Sequence, residues 1–173
     1  MRYSWFMLLF TISLSLRPRT SSSADLIQQT CKSTKYYDLC VSSLKSDSSS
    51  PKAGDAKGLA LIMVRLGVAN ATATNAYLLS AAANSTSAKK AIKECADKYA
   101  FASEALKSSL QDLSDELYDY AYMHVMAAAD YPDGCRNAFK RSPGLLYPPE
   151  MAHREDGLKR ICDVVLGIID SLA

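Results

Sequence analysis

Five cysteines, two histidines, two adjacent acid pairs and a run of tyrosines are the residues of this chain with chemistry to offer. Cys31 and Cys40 stand nine positions apart in TCKSTKYYDLC, and Cys95, Cys135 and Cys162 follow. In a straight helix, residues nine apart are separated by roughly 13 Å of rise. A disulfide tolerates a Cα separation of only about 7 Å. If Cys31 and Cys40 pair, the chain between them must bend, and polar Lys32-Ser33-Thr34 can turn. A bridge between Cys95 and Cys135 would tie two neighbouring helical segments. With one cysteine left over, several pairings stay open on these grounds.

Catalytic readings find little support. GxSxG, HExxH, P-loop and GxGxxG patterns are all missing from the sequence. Cys162, in GLKRICDVVLGII, sits beside Ile161 and Val165 and reads as a small buried hydrophobe rather than an activated nucleophile. His124 falls on an apolar stripe, which suits a satisfied core or near-core histidine, and His153 sits among charges in HRED. The pairs Asp115/Glu116 and Glu155/Asp156 are adjacent in sequence, so on a helix they point apart, as helix-dipole partners or surface charges. Neither a metal nor a cofactor is expected, and the chain reads as no enzyme. Tyr118, Tyr120 and Tyr122 fit a partner interface, because an aromatic body with a polar tip suits a half-wet contact, and equally fit a cover over the bundle core.

The segments that must position these residues are helical. Residues 1–24 come first: Arg2, an apolar run Trp5–Leu16, then Ser22-Ser23-Ala24. That is the pattern of a secretory signal peptide. The run has 12 residues, and a membrane-crossing helix takes about 20. No later segment reads as long and apolar enough to cross a bilayer, so no membrane is expected after cleavage. Removing Arg2, Arg17 and Arg19 from 20 Lys+Arg leaves 17 against 18 Asp+Glu. The near-neutral mature chain gives no reason to expect nucleic acid. Export also makes disulfides permissible.

Residues 25–173 form one domain: a helical hairpin and loop over 25–54, and a four-helix bundle over 55–173. Apolar positions three and four apart predict helices over about 55–82, 87–113, 114–141 and 151–172. Asp55 and Ser87 suit the starts of the first two, and Ser114-Asp115-Glu116 the start of the third. The predicted core lines are Leu59, Ile62, Met63, Leu66, Ala69, Ala73 and Tyr77 on the first helix and Leu117, Ala121, His124, Ala128, Tyr131, Cys135 and Phe139 on the third. Pro132 should kink the third helix. Short connections imply an all-α, antiparallel, up-down-up-down arrangement. Two glycosylation sequons begin at Asn70 and Asn84, of which Asn84 lies in a polar loop and is the better acceptor.

The stretches TCKSTKYYDLCVSSLKSD, GLALIMV, CADKYAFASEAL, MAAADYPDGCRNAF and LKRICDVVLGIIDSL resemble the plant invertase and pectin methylesterase inhibitor family, closest to its cell-wall and vacuolar inhibitors of β-fructosidase. The resemblance spans the chain after residue 24. It implies bridges Cys31–Cys40 and Cys95–Cys135, with Cys162 a free thiol and the N-terminal hairpin stapled. It also implies an inhibitor that binds invertase one to one and occludes its substrate cleft, with pectin methylesterase the alternative target. The implied location is the apoplast or cell wall, with the vacuole as the alternative destination. Some invertase inhibitors of this family carry Pro-Lys-Phe near the start of the third bundle helix. Here Asp115, Glu116 and Leu117 stand there, which reverses the charge, and Asp115–Tyr122 is the expected contact surface.

Overall fold

The computed structural model describes residues 22–172. Nearly all of the expected signal lies outside them. Among the described residues six helices run in order: α1 (Ser23–Cys31), α2 (Tyr37–Ser46), α3 (Ala56–Ala83), α4 (Lys89–Ser114), α5 (Tyr118–Lys140) and α6 (Pro149–Asp170). A 3₁₀ turn, Ser50–Lys52, precedes α3, and no strand occurs among the described residues.

The start of α1 is a capping box. Ser22 Oγ accepts from the Asp25 N–H, and the Asp25 carboxylate accepts from the Ser22 N–H, both at 3.2 Å. The expected cleavage point after Ala24 therefore falls inside the first turn of this helix. Between α1 and α2 the chain reverses, with the Thr34 N–H and hydroxyl both donating to the Cys31 carbonyl. The turn brings the Cα atoms of Cys31 and Cys40 to 5.7 Å, and their sulfurs are joined. This hairpin docks on α6. A Cβ added at Gly167 would lie 2.9 Å from the Ser33 carbonyl oxygen, so only glycine permits the approach. Lys35 pairs with Asp163 at 3.1 Å, and the Arg160 guanidinium lies over the Tyr36 ring.

Helices α3 to α6 close a ring of neighbours, α3 on α4, α4 on α5, α5 on α6 and α6 on α3. Asp55 caps α3 by accepting from the Gly58 N–H at 2.7 Å. The α3 core line begins as expected with Leu59, Ile62 and Met63 and then departs from it. Gly67, Ala71, Thr74, Leu78 and Ala82 are buried, while Ala69, Ala73 and Tyr77 are exposed. The segment is so rich in small residues that apolar pattern alone does not choose a face. α3 is also long and apolar enough to cross a bilayer, contrary to the expectation that no segment after residue 24 is; it packs as a core helix between α4 and α6.

Ser87 does not cap α4. The cap position is Ala88, whose N–H is accepted by Ser85 Oγ at 3.2 Å. The core line of α4 runs through Cys95, Tyr99, Ala102 and Leu106. Cys95 is bonded to Cys135 of α5, with Cα atoms 4.3 Å apart. α5 continues unbroken through Pro132, which is buried, and α6 begins at Pro149, just before the expected start. Cys162 is a free thiol wholly buried among apolar residues, and burial pushes its pKa up to about 12.

Candidate functional site: the turn between α4 and α5

The expected contact residues lie where α4 hands over to α5, and the local geometry there differs from the expected helix start. Ser114 ends α4 instead of opening α5, and Asp115 and Glu116 are not first-turn residues. The Glu116 N–H donates to the Leu113 carbonyl at 3.3 Å, and the Leu117 N–H donates to the Asp112 carbonyl at 2.8 Å. These two bonds form a Schellman cap, which needs a left-handed residue at its first position beyond the cap, customarily glycine. Here that residue is Glu116, with φ at 61°, the one non-glycine residue of positive φ among those described. A side chain in that region costs about 1 kcal/mol or more.

Three contacts pin the turn. Lys57, in the first turn of α3, donates from Nζ to Glu116 Oε1 at 2.7 Å. That hydrogen bond holds the Lys57 ammonium above the ordinary lysine range. Gln111 donates to Asp115 at 2.8 Å. His124 Nδ1 lies 2.6 Å from Asp112 Oδ2, tying α5 back to α4. The histidine is partly exposed at the rim of the core; Val125, one position on, is the buried residue of that turn.

From this turn the side chains fan outward. Leu117, expected in the core, is 46% exposed because it precedes the first turn of α5. Tyr120 is 58% and Met123 60% exposed on the outer face of α5. Tyr118 and Tyr122 are half-buried on the side facing α6. Glu116, Leu117, Tyr118, Asp119 and Tyr120 line one open recess of about 340 Å³. Tyr118, Asp119 and Tyr122 line a second of about 230 Å³ against Ile169 and Asp170 of α6. The arrangement is an apolar and aromatic patch with an acidic border, presented on a stiff turn.

Sequence reasoning missed a second cluster. Glu155, expected at the surface, is 2% exposed. Arg136 of α5 donates to both its oxygens, at 3.2 and 2.9 Å. Lys159 donates to it at 3.1 Å and to Asp133 at 2.6 Å, and the Tyr147 hydroxyl donates to it at 3.1 Å. The bond to Glu155 raises the Arg136 pKa. Burial, then the Glu155 charge, raise that of the Tyr147 phenol. The cluster joins α5, α6 and the loop between them, with the Tyr147 ring edge-on to Phe139. The Glu-Asp pairing hid this role, because its one signal was the Arg136 and Tyr147 partners that only folding brings near. Among the described residues no three His, Cys, Asp or Glu side chains converge as a metal site would require.

Fold, cross-links and turn define a disulfide-tied helical-bundle protein with an exposed aromatic and acidic turn between α4 and α5. A model of the plant invertase/pectin methylesterase inhibitor family matches residues 25–168. The chain belongs to that family, whose members are inhibitor proteins and not enzymes. It is 51% identical, over 96% of each chain, to cell wall / vacuolar inhibitor of fructosidase 2 of Arabidopsis thaliana. It is 38% identical to pectinesterase inhibitor 28 of Oryza sativa subsp. japonica, over 88% of this chain and 71% of that one. The crystal structure of mutant form A of a pectin methylesterase inhibitor from Arabidopsis shares the fold, with a TM-score of 0.68 at 23% identity, covering 83% of this chain and 95% of that one.

Proposed function

We propose that this chain inhibits invertase by binding one to one and covering the enzyme's substrate cleft with the α4–α5 turn and the outer face of α5. The observation that carries the target is the 51% identity, over nearly the full length, to an inhibitor of fructosidase. The contact surface is supported by geometry. Leu117, Tyr118, Tyr120 and Tyr122 cluster beside a pinned turn, and rigid aromatic anchors lose little conformational freedom on binding. Asp115 and Glu116 form its charged border.

Pectin methylesterase is the second reading, favoured by the relative named a pectinesterase inhibitor at 38% identity. Titrating the mature chain against each enzyme at acidic pH decides between them. Loss of sucrose hydrolysis at a one-to-one ratio supports the first reading. Loss of methylesterase activity with sucrose hydrolysis intact replaces it with the second. Tyr120→Ala should weaken inhibition by about tenfold while leaving the melting temperature unchanged, since Tyr120 covers no core. Full inhibition by that variant would move the contact elsewhere on the bundle.

The chain is read as exported through residues 1–24 to the apoplast or cell wall, with the vacuole as the alternative. Asn84 is the preferred glycan acceptor: it is exposed just beyond α3, whereas Asn70 faces α6 with its carbonyl oxygen buried. Glycosidase treatment of the secreted chain should remove the mass of one glycan, and Asn84→Gln should abolish the shift; a persisting shift would reassign the site to Asn70.

A further inference from the structure

The least economical feature of the bundle is Glu116. The Schellman cap asks for glycine, and glycine there would meet no steric objection. The ion pair with Lys57 does not account for the glutamate as a stabilising choice, because its carboxylate end is open to water. Strain held in a turn by its surroundings is a mark of a working surface. Two backbone bonds to α4 and the left-handed φ fix the backbone at this position, and the ammonium of Lys57, reaching from α3, holds the side chain. Glu116 borders the recess shared with Leu117 and Tyr120, and its carboxylate is held by Lys57 with most of the side chain exposed.

We infer that Glu116 is a specificity-determining contact and that Lys57, on a different helix, is the positioning residue that sets its direction. The inference rests on the proposed reading of this turn as the enzyme-binding surface. A carboxylate is an acceptor only, so the matching group on the target enzyme is a hydrogen-bond donor, an arginine, lysine or backbone N–H at the rim of the cleft. Lys57 uses one donor on Oε1 and leaves Oε2 free for that partner. Holding the carboxylate in place before binding spares the ordering of a long side chain at the interface.

The test is a double-mutant cycle read by inhibition titration, with the melting temperature followed in parallel. Glu116→Gly should raise the melting temperature, since the backbone strain is relieved, and weaken inhibition by about tenfold, since the contact is lost. Glu116→Gln should weaken inhibition without the gain in stability. Lys57→Met should weaken it severalfold in the wild-type background and not at all in the Glu116→Gly background, which has no side chain for Lys57 to hold, and Lys57→Arg should restore it. Undiminished inhibition by Glu116→Gly overturns the contact. Equal loss from Lys57→Met in both backgrounds overturns the positioning role, because a merely structural lysine acts whatever stands at 116. Tyr120→Ala separates this inference from the reading beneath it. If Tyr120→Ala weakens inhibition while Glu116→Gly inhibits fully, the surface stands and the role of Glu116 falls. If both inhibit fully, the surface itself falls.

Discussion

Glu155 is the residue whose removal should cost the fold most among the charged side chains. It accepts from Arg136, Lys159 and Tyr147 and is almost wholly buried. Glu155→Ala leaves a guanidinium and an ammonium without their partner, yet both can still reach solvent. The loss should therefore be about 2 kcal/mol, below the 3–5 expected where both partners of a pair are buried. Urea unfolding of the variant checks this, and an unchanged midpoint would make the cluster dispensable. Cys162 makes the opposite kind of statement. Its thiol is protonated at any ordinary pH and shielded on every side. An alkylating reagent at pH 8 should modify the native chain negligibly and modify it fully in denaturant. Fast labelling of the folded protein would show that α6 opens far more readily than its packing implies.

Two elements are stapled for different reasons. The Cys31–Cys40 bridge closes a short loop and keeps α1 and α2 folded back on one another, so that Ser33 and Thr34 can sit against Gly167. The Cys95–Cys135 bridge spans 40 positions and locks α4 to α5, the two helices whose junction carries the proposed contact surface. In the chain-entropy model the first stabilises by about 3 kcal/mol and the second by about 4. Replacing Cys95 and Cys135 together by serine should lower the unfolding midpoint more than replacing Cys31 and Cys40. It should also weaken inhibition more, since the turn then loses its frame. The reverse ranking, measured by urea unfolding and titration, would put the hairpin and not the α4–α5 junction at the centre of stability.

At the scale of the molecule, alkaline pH is the condition that should unfold this bundle. Burial raises the phenols of Tyr99 and Tyr147 well above their ordinary value of 10.0. It also raises the Cys162 thiol from 9.0 to about 12. These groups stay protonated in the folded chain while the unfolded chain releases their protons. Stability is then fully present below pH about 9 and falls as the pH climbs toward 12. Urea midpoints at pH 7, 9 and 10.5 should fall in that order, and an equal or higher midpoint at pH 10.5 would contradict the burial of these groups. The two faces of the molecule's work separate in space: the buried Glu155 cluster fastens the α5–α6 loop at one end, and the acidic, aromatic turn stands free at the other.

The helices, their number and their antiparallel order were legible in the sequence, because apolar spacing of three and four is a local property that each segment carries alone. The cap of α3 by Asp55 and the burial of Cys162 followed for the same reason. The face of α3 was not legible beyond Met63, since a run of alanines and small polar residues leaves the choice to whatever packs against it. Nor was the turn at Glu116: side chains that suit a helix start stand where the backbone instead closes a cap, and hydrogen bonds to Asp112 and Leu113 decided it. Glu155 and Lys57 acquire their roles from partners 19 and 59 positions away. Sequence alone determined which segments coil and which cysteines and tyrosines were available; only the packing of one helix on another decided which charges are buried, which carboxylate is aimed outward, and on what frame it is held.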